Sequence, residues 1–180
     1  MAFWHRWTRF SQTGFTLLEL ILVLGVITTL STVLLGAGRW AQESGKNARA
    51  QAELATIVSG LESYRRMFGD YPQTDDSATL LQSLIGRRGP AGAATATGEF
   101  VQRERLTTAA ERDPLTDPRA QWIDPWDHPY AYAYKSMSPW LQPRYVLYSY
   151  GRDGVAAALL AGGRPDDSAT INADNVYANR

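Results

Sequence analysis

The chain has 180 residues, and its 18 basic and 18 acidic side chains give a formal net charge of zero, so there is no overall positive field to attract nucleic acid. Cysteine is absent, which excludes disulfides, thiolate metal ligands and cysteine nucleophiles, and the two histidines, His5 and His128, are too few for a multi-histidine metal centre. The length favours one domain with an appendage, and an aromatic fraction of 11% is enough to build a core.

The N-terminal region changes from basic to apolar. Residues 1–14 carry Arg6 and Arg9 and no acid, whereas residues 15–37 read F-T-L-L-E-L-I-L-V-L-G-V-I-T-T-L-S-T-V-L-L-G-A. Roughly 20 apolar helical residues span the hydrocarbon layer of a membrane. The pattern therefore predicts a transmembrane helix over 15–37, with the basic N-terminus in the cytoplasm and the chain after Arg39 on the opposite side.

One acidic residue, Glu19, interrupts the apolar run. An ionised carboxylate at membrane depth costs several kcal/mol unless a cation pairs with it. Either Glu19 lies near the membrane interface, where it is tolerated, or a partner supplies a positive charge at the same depth.

The string T-G-F-T-L-L-E-L, residues 13–20, resembles the processing site of the type IV prepilin-like family, which includes the pseudopilins of type II secretion. The resemblance implies that a prepilin peptidase cleaves after Gly14 and that Phe15 becomes the N-methylated first residue. It also implies that Glu19 pairs with the new α-amino group of a neighbouring subunit during assembly. A mismatched charge pair in lipid is costly, so such a pair would set the register between packed helices.

Two other interpretations of the apolar segment stay open. It could be a secretory signal peptide cleaved among the small residues 36–38, or a plain signal anchor that is not cleaved. A signal peptide is disfavoured because the run is long for its apolar region, because Glu19 lies inside it, and because the following sequence continues as a helix.

Beyond the apolar segment, the helical pattern continues to Phe68 without a proline, which predicts one helix over 15–68. Its second half places apolar residues at steps of three and four, and these predict a core-facing stripe: Leu54, Ile57, Leu61, Tyr64 and Phe68. The charged residues between positions 46 and 66, Glu53 among them, fall mostly elsewhere on the helix. Glycine and then proline within G-D-Y-P, residues 69–72, end it.

The rest of the chain predicts short elements. Residues 79–85 are expected to form a second helix and residues 86–98 a surface loop, and residues 100–112 are a candidate for a short helix. Tyrosines alternate with alanines over 130–134, which predicts a strand, and residues 144–150 form a second strand candidate. The expected fold is α+β, with a long N-terminal, partly transmembrane helix packed on a small antiparallel sheet, as in type IV pilins.

The resemblance extends through the second half of the chain. D-P-W-D-H-P-Y, residues 124–130, is similar to a block of the family that reads Asp-Pro-Trp-Gly-x-Pro-Tyr, and S-Y-G-R-D-G, residues 149–154, is similar to its Ser-x-Gly-x-Asp-Gly loop. These blocks match the major pseudopilin best. The chain departs from the pattern where Asp127 and His128 replace Gly-x, and where an apolar insert, V-A-A-A-L-L-A, occupies residues 155–161.

The resemblance implies a Ca²⁺ site in the C-terminal loop. Asp153 matches the first ligand of the family, the backbone carbonyl of Tyr150 lies where the family supplies another, and the second carboxylate is either Asp167 or Asp174. Carboxylates and carbonyls are the ligands that Ca²⁺ prefers. The alternative is that these are solvated aspartates in turns.

The remaining candidate residues, His128 and the aromatic residues of the second half, are expected to have structural roles. His128 lies between an aspartate and a proline, and catalysis would need a nucleophile and an orienting group that the sequence does not place. The aromatic residues between 122 and 150 are expected to pack the sheet on the helix.

Together these features predict a non-enzymatic structural subunit of a secretion pseudopilus, with a leader at 1–14, a transmembrane segment at 15–37 and a periplasmic head at 38–180. The expected partners are prepilin peptidase, copies of the chain, other pseudopilins, the inner-membrane secretion platform and the inner membrane, and no nucleic acid. The protein would lie in the inner membrane and in the assembled pseudopilus. A type IV pilin for adhesion, motility or DNA uptake remains open, as does a membrane-anchored periplasmic enzyme or binding module.

Overall fold

A computed structural model describes residues 14–109 and 112–178. The predicted leader, apart from its last residue Gly14, lies outside the described residues. The order of elements is α1 (Leu17–Phe68), α2 (Ser77–Leu84), β1 (Ala131–Ala133), β2 (Val146–Ser149) and β3 (Val176–Tyr177). Two short 3₁₀ turns, Arg103–Arg105 and Thr170–Asn172, complete the regular structure of the described residues. The chain divides within α1, after Gln42, into two compact units.

The long helix was predicted to within two residues. It stops where Gly69 adopts a left-handed conformation with φ of 82°, and the Gly69 N–H donates to the carbonyl of Arg65 at 2.8 Å. Glycine takes this conformation without steric cost, which explains its position just past a helix end. In the described part of the chain, no helix is long and apolar enough to cross a membrane. The side chains at 33–37, inside the predicted span, lie outside the description.

The predicted stripe on the second half of α1 forms the centre of the head. Leu54, Ile57, Leu61 and Tyr64 are fully buried, and Phe68 packs at the margin of the same core. Burying an aliphatic or aromatic side chain of this size stabilises a fold by about 1.5–3 kcal/mol. The stripe is therefore the base on which the other elements of the head pack.

The second helix begins two residues earlier than predicted because Asp76 caps it. The Asp76 carboxylate accepts hydrogen bonds from the Thr79 N–H at 2.8 Å and from the Thr79 hydroxyl at 2.7 Å. The segment 100–112 was predicted as a possible short helix, but its described residues contain only the 3₁₀ turn Arg103–Arg105.

The sheet has three antiparallel strands in the order β1–β2–β3. Tyr132 pairs with Leu147, and both face the core on the α1 side; Ala131 pairs with Tyr148, and both face the opposite side. The first two strands were predicted. The third is only two residues long, which gives too short a pattern to recognise from sequence.

Candidate assembly segment and C-terminal loop

The start of α1 coincides with the predicted processing junction. Phe15 is 80% exposed, and the helix begins two residues later at Leu17. The Thr16 hydroxyl accepts the Glu19 N–H at 3.2 Å, while Glu19 Oε2 accepts the Thr16 N–H at 3.3 Å. This reciprocal pair is a capping box, which satisfies amide groups that have no partner within the helix.

The capping box gives Glu19 a role within its own subunit. A carboxylate in the first turn of a helix is favoured by the positive end of the helix dipole. A cation near Glu19 would add to the favourable field of the helix dipole. The α-amino group that cleavage would create at Phe15 is such a cation. The start of α1 therefore favours an ionised Glu19 carboxylate close to the predicted new N-terminus at Phe15.

Apolar side chains on the first turns of α1 are exposed. The aliphatic residues between Leu17 and Leu30 have exposed fractions of 43–79%. Such a surface is too large and too apolar to be an ordinary exposed surface of a monomeric soluble protein, so it marks an interaction surface.

In the head, Asp124 joins the two sequence blocks that the family resemblance singled out. Its carboxylate is fully buried, and it accepts the N–H groups of Trp126 and His128, both at 2.9 Å, through Oδ1. Through Oδ2 it accepts the hydroxyl of Ser149 at 2.5 Å. Asp124 thus shapes the turn after it and fastens that turn to the end of β2.

His128 packs against the loop that follows β2. Its Nδ1 donates to the carbonyl of Gly151 at 3.1 Å, and its ring lies so close to Gly154 that a Cβ there would be 2.5 Å from Nε2. Ser149 is fully buried and donates to Asp124 instead of His128. These residues therefore form a structural clamp, not a nucleophile activated by a histidine.

The predicted Ca²⁺ ligands fall into two places. The Asp174 carboxylate accepts the Asp153 N–H at 3.0 Å, whereas Asp167 lines a separate cavity with Pro165 and Tyr177. Tyr150 stacks edge-on against Tyr148, just before the loop that carries Asp153.

The aspartates of this loop do not gather into a cluster of three in the described part of the chain. Over residues 14–109 and 112–178, no group of three or more histidine, cysteine, aspartate or glutamate side chains could hold a metal ion. The Asp174 carboxylate accepts the backbone N–H of Asp153, and the Asp153 carboxylate accepts the N–H of Val155. Backbone carbonyls and water would have to complete the six to eight oxygens that Ca²⁺ takes.

The apolar insert at 155–161 supplies a second, smaller core that the sequence did not reveal. Ala156 and Leu159 pack on the face of the sheet opposite α1, against Val146, Tyr148 and Ala131. The insert therefore covers a sheet face that would otherwise expose apolar groups.

The structure also contains a buried polar contact that sequence reasoning missed. Glu53, expected away from the core face, is only 6% exposed, and its Oε2 accepts the hydroxyl of Tyr130 at 2.5 Å. Arg49 donates to Glu53 Oε1 at 2.7 Å and to the hydroxyl of Thr107 at 2.7 Å. Because Glu53 lies four residues before Ile57 of the stripe, a helical wheel places it at the edge of the core, and that spacing was its only signal.

The described residues define an α+β protein with a long N-terminal helix, an exposed apolar start and a small antiparallel sheet. A family model described as type II secretion system (T2SS), protein G, matches residues 40–169. The chain is 25% identical over 167 residues to the type II secretion system core protein G of Pseudomonas aeruginosa, covering 93% of this chain and 99% of that protein. No solved structure gives a significant match. The chain belongs to the protein G family of type II secretion, the family of the major pseudopilin.

Proposed function

We propose that this chain is a non-enzymatic structural subunit of a type II secretion pseudopilus, processed after Gly14 by prepilin peptidase and assembled with copies of itself and other pseudopilins. The observation that carries the proposal is the capping box of Thr16 and Glu19, which opens an exposed apolar helix directly after the predicted cleavage point. Helix packing removes that apolar surface from water or lipid contact and supplies most of the cohesion of the filament.

In this proposal, Glu19 aligns each incoming subunit. Its carboxylate pairs with the methylated α-amino group at Phe15 of a neighbour, which neutralises both charges in an apolar surrounding. A subunit out of register leaves both charges unpaired, at a cost of several kcal/mol, and is rejected.

The test uses a secretion-competent strain that lacks its own protein G, with the full chain and prepilin peptidase supplied together. We expect mass spectrometry to find an N-methylated Phe15 as the first residue. E19A should still be cleaved but should lose cross-linked multimers and secretion by more than tenfold, since unpaired charge at this depth costs more than about 1.4 kcal/mol. E104A removes an exposed glutamate of the head and is the matched control.

Either of two results would overturn the proposal. A first residue near Gly38 would mean that the apolar segment is a signal peptide. Normal assembly and secretion by E19A would remove the role of the carboxylate.

The proposal also places the subunit in the inner membrane before assembly, with the head in the periplasm. It rests on the apolar sequence at 15–37 and on the exposed aliphatic side chains at the start of α1. The full chain should remain in the membrane pellet after alkaline extraction. Protease added from the periplasmic side should reach only the head, so any cleavage should fall within the head. Release of the uncleaved chain by alkali would contradict this location.

Calcium binding in the C-terminal loop is a further part of the proposal. Asp153 and Asp174 would provide the carboxylates and Tyr150 a backbone carbonyl, supported by the hydrogen bond that links the two aspartates through a backbone N–H. Bound Ca²⁺ would add positive charge between two carboxylates and link the loop to the end of the sheet. Calorimetric titration should show binding that D174N weakens by at least tenfold and D167N leaves within about twofold; the reverse order would assign Asp167 instead.

A further inference from the structure

The C-terminal loop is closed by several contacts that the chain makes by itself. Asn172 lies at their centre: it is 9% exposed, and both polar atoms of its side chain, Oδ1 and Nδ2, make hydrogen bonds. Its Oδ1 accepts the Ala157 N–H at 2.8 Å and the side-chain amide of Asn175 at 3.2 Å, while its Nδ2 donates to the carbonyl of Asp166 at 2.7 Å.

Two of these bonds are local, to Asp166 and Asn175, and the third spans 15 residues to Ala157. One of them links Asn172 to the apolar insert, whose Ala156 and Leu159 pack on the outer face of the sheet. A buried amide bonded both to the insert and to its own neighbours restricts their relative positions, because moving either leaves a polar group without a partner.

The base of the loop is closed in the same way. Asp174 Oδ2 accepts the Asp153 N–H at 3.0 Å, and Asp153 Oδ1 accepts the Val155 N–H at 2.9 Å. The backbone oxygen of Asp174 lies so near Gly151 that a Cβ on that residue would be 2.3 Å away, and Gly151 has φ of 68°. The backbones of Gly151 and Asp174 are therefore in direct contact at the base of the loop.

We infer that the C-terminal loop of this protein is held in its closed form by Asn172 and the apolar insert, independently of Ca²⁺. Asn172 is a positioning residue: it orders the loop that presents Asp153 and Asp174, so a cation binds to carboxylates already in place. A preordered site loses less conformational entropy on binding than a loop that folds around its metal. The inference does not depend on whether Ca²⁺ binds, nor on the assembly role proposed above.

Hydrogen exchange of the full chain in detergent micelles tests the inference, in buffer with a chelator and in buffer with millimolar Ca²⁺. In the unchanged protein, the amides of Asp153 and Ala157 should exchange at rates that agree within about twofold in the two buffers. N172A should speed exchange at Ala157 by about tenfold or more in both buffers, since a buried hydrogen bond is lost and Ca²⁺ does not replace it. E104A, which removes an exposed glutamate outside the loop, should behave as the unchanged protein.

N172D provides a milder variant in case N172A does not fold. It keeps the oxygen that accepts the Ala157 N–H and loses the donor to the Asp166 carbonyl, so exchange should rise between residues 166 and 175 and stay slow at Ala157. Two results would overturn the inference: protection of the unchanged protein that collapses in the chelator and returns with Ca²⁺, or protection that survives N172A.

Discussion

Asp127 adopts a backbone conformation that residues with a Cβ rarely take. Its φ is 70°, and its N–H donates to the carbonyl of Asp124 at 3.0 Å, which closes a tight turn. The left-handed conformation costs most L-residues roughly 1–2 kcal/mol, and aspartate is among those that tolerate it best. The family block has glycine at this point, so the departure noted in the sequence replaces a residue without strain by the next most suitable type.

Substitutions at Asp127 should therefore rank by their tolerance of positive φ. D127V should lower the free energy of unfolding by about 1–2 kcal/mol because a branched side chain clashes with its own backbone. D127G should stay within about 1 kcal/mol of the unchanged protein, since relief of strain is offset by the greater entropy of the unfolded chain. Chemical denaturation measures both; equal stability of the two variants would contradict the assignment.

Asp70 lies just after the end of α1, and its half-buried carboxylate accepts four hydrogen bonds. Oδ1 accepts the hydroxyl of Tyr134 at 2.8 Å and the N–H of Tyr71 at 3.0 Å, and Oδ2 accepts Lys135 Nζ at 2.6 Å and the Gln73 amide at 3.0 Å. Partial burial by itself would raise the pKa of Asp70, but the bonds from Lys135, Tyr134, Gln73 and the Tyr71 backbone outweigh it and lower the pKa to about 2.

The lowered pKa predicts a specific loss of stability in acid. Because the folded pKa of about 2 lies below the ordinary value of 3.8, the ionised form favours the folded state. Its contribution is fully present above pH 4 or so and is lost as the pH falls toward 2. We expect a contribution of about 1 kcal/mol once screening by water is allowed for. The stability difference between the unchanged protein and D70N should shrink across this pH window, and a difference that does not change with pH would contradict the prediction.

At the scale of elements, α1 and the sheet are joined by a polar contact as well as by the core. Glu53 on the helix accepts the hydroxyl of Tyr130, which directly precedes β1. Burial, together with the bond to Glu53, raises the pKa of Tyr130 well above its ordinary value, so the hydroxyl stays a donor. A buried carboxylate needs such donors, because leaving it without them costs more than an ordinary hydrogen bond gains.

Removing the donor should weaken the attachment of the helix to the sheet. Y130F leaves the aromatic packing in place and should lower the free energy of unfolding by about 1–3 kcal/mol, since the Glu53 carboxylate then loses a buried partner. Q51A, at an exposed position on the same helix, should change stability by less than about 0.5 kcal/mol. Denaturation curves that coincide for Y130F and Q51A would show that the contact contributes nothing.

The third strand and the insert illustrate how elements depend on their partners. The two residues Val176 and Tyr177 are a strand only because β2 lies beside them, with Tyr148 opposite Tyr177. The insert has no periodic pattern of its own, and it packs because the outer face of the sheet offers Val146 and Tyr148. Short segments of this kind gain their structure from tertiary contact, not from local propensity.

At the scale of the whole molecule, the two compact units differ in the burial of their apolar side chains. In the unit that starts at Glu43, apolar side chains from Ala50 onward are buried in a main core and a smaller second core. In the unit that ends at Gln42, the described aliphatic side chains between Leu17 and Leu30 are exposed. The first pattern is that of an independently folding domain, and the second is that of a surface awaiting a partner.

The division predicts that residues 43–180 fold without the preceding segment. A shortened chain of this range should be monomeric by light scattering and should unfold in one cooperative transition, because its core is complete. The full chain, transferred from detergent to buffer, should associate through its exposed helix. A shortened chain that aggregates or shows no cooperative transition would mean that the N-terminal segment is needed for the fold.

How far the sequence predicted the structure depended on the range of the interactions involved. The stripe that includes Leu54 and Ile57 and the helix end at Gly69 were predicted correctly, because periodicity and backbone preference act over a few neighbouring residues. The inward position of Glu53 was missed. A helical wheel shows only the helix, and it cannot show that the Tyr130 hydroxyl lies within hydrogen-bonding distance of the Glu53 carboxylate.

By itself, the sequence determined the long helix, the positions of the first two strands and the resemblance that the family match later confirmed. These follow from local conformational energies and from motifs, which are written in consecutive residues. Only the tertiary structure decided that the Asp174 carboxylate accepts the Asp153 N–H, that the Asn172 side chain accepts the Ala157 N–H, and that the insert covers the sheet. Each of those outcomes joins residues far apart in the chain, so it depends on which segments the packed core brings together.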